Sequence, residues 1–127
     1  MNPVIRDIRP DSEYFIAEGC HIIELLQADD DPQLSIARAR VEPGRTTRRH
    51  RLRGTTERYV ILEGEGLVEI GDLSPRQVRP GDVVLIPPAC RQRITNSGKG
   101  DLFFLAICTP PFQPENYEDI ERLIGPE

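Results

Sequence analysis

Gly44-Arg45-Thr46-Thr47-Arg48-Arg49-His50-Arg51-Leu52-Arg53-Gly54-Thr55-Thr56-Glu57-Arg58-Tyr59-Val60-Ile61-Leu62-Glu63-Gly64 and Gly81-Asp82-Val83-Val84-Leu85-Ile86-Pro87-Pro88-Ala89-Cys90-Arg91-Gln92-Arg93-Ile94-Thr95-Asn96 are the two stretches that decide the fold. Thr56–Glu63, Val83–Ile86 and Gln92–Asn96 have the length and the β-branched and aromatic composition of strands. Pro43-Gly44, Gly64 and Pro80-Gly81 bound them as tight turns. Alternate residues of a strand face one side, so His50 and Leu52 point together. Glu57, Tyr59 and Ile61 share one face, and Arg58, Val60 and Leu62 share the other.

Working outward, further strands are read at His21–Gln27, Gln33–Val41, Gly66–Ile70 and Leu102–Cys108, separated by clusters of Gly, Pro, Asn and Asp. Many short strands at this spacing predict an all-β sandwich or barrel. Pro110-Pro111-Phe112 reads as an extended arm laid across it. Pro114–Ile124 reads as a short C-terminal helix, because it opens with Pro and acids and spaces Tyr117, Ile120 and Ile124 by three and four. With 127 residues, the chain is expected to be a single domain over 1–127, with the arm and helix at 109–124.

The spacing within the two opening stretches resembles the two motifs of the cupin superfamily. In the first, at 44–64, Gly44 is followed by five residues and His50, then Leu52 where a second His would stand, then four residues and Glu57, then six residues and Gly64. In the second, at 81–96, Gly81 leads to Pro87, with Ala89 at a Gly position, Gln92 at a His position and Asn96 at an Asn position. The resemblance implies an antiparallel jelly-roll (double-stranded β-helix) barrel. In cupins with the full pattern, three His and one Glu bind a divalent metal such as Mn, Fe, Ni or Zn. This chain keeps only His50 and Glu57 of that set, and Gln92 offers a neutral amide oxygen, a poorer ligand than imidazole.

Two readings of the site follow. In one, His50, Glu57 and Gln92 hold a metal weakly and leave open positions for substrate. In the other the site is metal-free, Leu52 fills volume, and Glu57 pairs with His50 or an Arg. The loss of two imidazoles favours the second. His21, the only other His, heads a strand with Ile23 and Leu25 in register and reads as a strand histidine. Parity places Arg48 on the cavity side with His50, which makes Arg48, Tyr59 and Gln92 the candidate substrate-binding residues. His50 and Glu57 are the candidate proton-transfer pair. Ala37, Ala39 and Val41 form a small apolar face with Arg38 and Arg40 outward, although the inverse orientation is also compatible with the pattern.

The formal net charge of −5 conceals an uneven distribution. Residues 1–37 carry −6, residues 38–58 carry +6 and residues 59–127 carry −5. The basic segment coincides with the first motif, and Arg suits bidentate capture of carboxylate or phosphate, so a small anion or sugar derivative is the expected ligand. The chain therefore reads as a small-molecule-binding cupin. The alternative is a metal-dependent enzyme of isomerase, epimerase, decarboxylase or dioxygenase type.

A sequence pI near 5.1 argues against a general nucleic-acid binder. No apolar run approaches a membrane span, and Met1–Asp7 lacks the pattern of a signal peptide, so a cytoplasmic location is expected. Cys20, Cys90 and Cys108 form no CxxC and read as reduced thiols packed in or beside the core. The half-apolar face at Val60 and Leu62 predicts a homodimer.

Overall fold

The computed structural model describes residues 1–121. Eleven strands follow in order: β1 (Tyr14–Ile16), β2 (Cys20–Leu26), β3 (Ser35–Val41), β4 (His50–Leu52), β5 (Thr56–Glu63), β6 (Gly66–Ile70), β7 (Arg76–Val78), β8 (Val83–Ile86), β9 (Gln92–Asn96), β10 (Leu102–Thr109) and β11 (Tyr117–Asp119). They form two antiparallel sheets, one in the order β1-β2-β3-β10-β5-β8 and the other in the order β11-β4-β9-β6-β7. The inner faces enclose a core that includes Val41, Ile61, Val68, Ile94, Leu102 and Phe104, all 6% exposed or less. This is the jelly-roll barrel expected from the motif spacing.

Strict alternation sorts β5 as its sequence predicts. Glu57, Tyr59 and Ile61 are buried, while Arg58 and Val60 are half-buried and Leu62 is exposed. The motif glycines do structural work at the turns. Gly64 has φ +87°, and a Cβ there would lie 2.6 Å from the Asp101 carbonyl oxygen. Ala89, which stands where the motif has Gly, takes φ +64° and is the only non-glycine residue with positive φ among the described residues.

The expected C-terminal helix is corrected. Pro114–Asn116 make a single 3-10 turn, and Tyr117–Asp119 form β11, paired with β4 through Tyr117↔Leu52 and Asp119↔His50. An isolated helix of about eleven residues is marginal in water. The edge of β4 offers backbone partners instead, and ion pairs from Arg48 to Asp119 and from Arg51 and Arg53 to Glu118 hold the added strand. Residues 122–124 of the expected helix lie outside the described residues. In the arm before it, the Phe112 N–H donates to Ser35 Oγ, at the start of β3, at 2.9 Å. No described helix is long and apolar enough to cross a membrane.

Candidate functional site

The inner face of the six-stranded sheet bounds a cavity of about 630 Å³ that runs between β1, β2, β3, β10 and β5 and reaches Phe112 and Tyr117. Ala37 pairs with Ala106, so small side chains stand side by side on β3 and β10, next to Tyr59 on β5, and leave the space open. Phe104 packs against Tyr59 at a ring separation of 4.4 Å. The walls are mainly apolar, and two of their carboxyl groups, Glu18 and Glu57, are largely buried at one end.

Glu57 lines that end and is 8% exposed. Its Oε2 accepts a long contact of 3.8 Å from the Cys108 thiol, and its Oε1 has no hydrogen-bond partner. Glu18, in the turn between β1 and β2, also lines the cavity, and its side chain is 14% exposed. The Cys20 thiol approaches its Oε2 at 3.8 Å. Both thiols are pushed up by burial first and by the adjoining carboxyls, so they stay protonated and act as donors.

His50 is 2% exposed and donates Nδ1–H to the Arg48 carbonyl oxygen at 2.7 Å. Its Nε2 then carries the lone pair and stands 3.6 Å from Glu18 Oε1. Its ring stacks on Tyr117 at 5.1 Å. Gln92, on β9, is 1% exposed; its Oε1 accepts the Tyr59 hydroxyl proton, and its Nε2 has no partner.

Burial sets the protonation of this end. It pushes the Glu18 carboxyl up to about 7, opposed by the Cys20 thiol. It pushes Glu57 up to about 7 as well, with the Glu18 charge adding and His50 opposing. Burial lowers His50, opposed by its bond to the Arg48 carbonyl, which keeps the ring neutral. Two carboxyls that exchange protons near neutrality, beside a neutral imidazole, form an arrangement able to hold or move a proton on a molecule in the cavity.

Of the residues singled out from sequence, the structure brings His50, Glu57, Tyr59 and Gln92 together. Glu57 and Tyr59 face the cavity, and His50 and Gln92 are buried behind its wall. Arg48 lies elsewhere, which corrects the parity argument. Residues 47–49 are not in a strand, and the Arg48 guanidinium turns outward to Asp119 at 2.5 Å. Arg38 and Arg40 face away from the cavity and share Glu13, at 3.2 Å and 2.6 Å, while Ala37 and Ala39 face inward. His21 also faces outward, with Nε2 3.2 Å from Glu42 Oε1. Sequence reading passed over Glu18 and Tyr117. Glu18 sits in a turn with no motif, and Tyr117 was assigned to the apolar stripe of a helix.

The donors do not fit the Mn, Fe, Ni or Zn site that the full motif implies. Leu52, in the second His position, is 4% exposed and apolar. The Gln92 oxygen is already used by Tyr59. Among the described residues no group of three or more His, Cys, Asp or Glu is placed to hold a metal ion. Cys20 and Cys108 are buried and Cys90 half-buried, all as free thiols.

Comparison with known proteins agrees with this architecture. A family model described as the cupin domain matches residues 37–108. An uncharacterized protein of Methanocaldococcus jannaschii is 34% identical over 110 residues, covering 85% of this chain and 87% of that protein. The structure of KdgF from Halomonas sp. superposes with a TM-score of 0.77 at 13% identity, over 90% of this chain and 98% of that one. A predicted oxalate decarboxylase from Thermotoga maritima gives a TM-score of 0.72 at 24% identity, over 82% and 98% of the two chains. At these identities the two structures are similar in fold alone.

Proposed function

Because the chain belongs to the cupin domain family, we propose that its barrel is a small-molecule binding site, filled by a compact organic molecule with an apolar body and one polar head. One observation carries the reading: the buried Glu57 Oε1 has no partner on the wall of a cavity of about 630 Å³. A buried polar atom without a partner costs free energy that a bound molecule recovers. The apolar walls and the few convergent polar groups suit such a ligand. The anionic ligand expected from the arginine segment loses its support, because Arg38, Arg40 and Arg48 make ion pairs outside the cavity.

Titration of 15N-labelled protein with 1-hexanol tests the reading. Amides of Ala37, Ala39, Tyr59 and Ala106 are expected to shift, and Ala106→Phe is expected to abolish the response by filling the space. Ala37→Leu is a milder filling variant should Ala106→Phe fail to fold. Absence of shifts, or shifts confined to outward-facing residues, overturns the reading.

A second reading is an enzyme that transfers a proton on the bound molecule, favoured by the grouping of Glu18, His50 and Glu57. The metal-dependent alternative built on His50, Glu57 and Gln92 is tested by elemental analysis of the purified protein. Stoichiometric metal that is lost in His50→Ala would support it.

A further inference from the structure

We infer that the cavity selects an organic ammonium ion, a protonated primary amine with an apolar body, and seats its head on Glu57 and Glu18. The inference rests on the reading of the barrel as a small-molecule site and names the class of ligand. Among the described residues that line the cavity there are four carboxylates, Glu18, Glu24, Asp29 and Glu57, and no Lys, Arg or His. Behind the wall, Arg58 lies close enough to act on the Cys108 thiol but is held by the Thr56 carbonyl and Thr109 Oγ1, and Arg45 and Arg48 border Glu18 only from a separate groove. The guanidinium groups of Arg38 and Arg40 are held on the opposite side of the sheet by Glu13, and His50 is kept neutral by burial. An anion entering this space would meet four carboxyl groups and no lining counter-charge, with the charge on Glu18 and Glu57 growing as pH rises past 7.

The second observation is independent of the charge count. Glu57 is more than nine-tenths buried, and its Oε1, an acceptor, has no donor. Among the described residues, the Cys108 thiol, a weak donor, reaches the other oxygen, and the Gln92 amide lies close enough to lower the Glu57 carboxyl without coming into hydrogen-bond geometry with Oε1. The missing group is therefore an N–H or O–H donor, and a positively charged one offsets the cost of the buried carboxylate as well. A primary ammonium has three N–H donors, whereas a quaternary one has none and would leave Oε1 unsatisfied. The rings of Tyr59, Phe104 and Tyr117 around the same end add favourable faces for a cation. Beyond the head, Ala37, Ala39 and Ala106 leave room for an alkyl body.

Three probes of one chain length separate the possibilities: hexylammonium chloride, 1-hexanol and sodium hexanoate. Each is titrated calorimetrically into chelator-treated full-length protein at pH 8. Hexylammonium is expected to bind at least about tenfold more tightly than hexanol, the size of a charge-assisted hydrogen bond to a buried group, and hexanoate more weakly than hexanol. In Glu57→Gln and in Glu18→Gln, both close in shape to the native side chains, the affinities for hexylammonium and hexanol are expected to converge. Hexanol binding without a preference for the ammonium overturns this inference and leaves the cavity reading standing. Equal preference in wild type and Glu57→Gln does the same. Failure of all three probes to bind overturns both.

Discussion

Replacing Glu18 and Glu57 together by Gln is expected to stabilise the protein in alkaline solution and to change it far less in acid. Both carboxyls are pushed up from an ordinary 4.5 to about 7 in the folded chain. A raised pKa means that the native state keeps protons the unfolded chain has released. Stability from these groups is thus complete below pH 4.5 and is lost as pH rises toward and through 7. At 1.36 kcal/mol per pH unit, a rise of about 2.5 units corresponds to about 3 kcal/mol for one group. Part of the Glu57 shift comes from the Glu18 charge, so the two do not simply double, and about 3–5 kcal/mol for the pair is the working magnitude. Gln cannot ionise and escapes this cost. Urea denaturation should find the double variant more stable than wild type by that amount at pH 8, a rise in Tm on the order of 10 °C. At pH 5 the advantage should fall to about 1 kcal/mol per group. His50 shifts the other way, its contribution present above its ordinary value and lost as pH falls, and it is common to both proteins. A double variant less stable than wild type at pH 8, or a gain equal at both pH values, would refute the reasoning.

Other perturbations test the frame around the site. Ala89→Gly should raise stability by about 0.5–1 kcal/mol in thermal denaturation, since φ +64° suits glycine and strains alanine. Gly64→Ala should lower it by about 2–4 kcal/mol, because its Cβ would meet the Asp101 carbonyl oxygen at 2.6 Å and φ is +87°; an unchanged Tm would contradict that geometry. The homodimer expected from the sequence is proposed to use the outer face at edge strand β8, where Val83 and Leu85 are 64% and 60% exposed beside Leu62 at 45%. Leu85→Lys should then give a monomer by sedimentation velocity, and a wild-type monomer would remove the proposal.

Much of the barrel is legible in the residues. Thr56–Glu63, Gly66–Ile70, Val83–Ile86 and Gln92–Asn96 occupy the bounds read from composition and turn residues, because each is closed by Gly, Pro or Asn and patterned by alternation. Three-residue strands such as Tyr14–Ile16 and Arg76–Val78 are too short to show a period and exist through their partners. Tyr117–Asp119 carries a helical spacing that the open edge of β4 overrides. At the site, alternation placed Glu57 beside Tyr59, while Arg48 escaped because regular parity fails outside a strand. Glu18 was invisible for a different reason. Its burial comes from the turn that folds it toward His50, a contact across 32 positions that no local pattern encodes.

The central claim is that the barrel interior receives a small organic molecule. Intermolecular nuclear Overhauser effects between 1-hexanol and the protein test it most directly. The account predicts contacts from the hexyl chain to the methyl groups of Ala37, Ala39 and Ala106, which face the cavity. Contacts confined to Val83 and Leu85 on the outer face, or none at all, would contradict it.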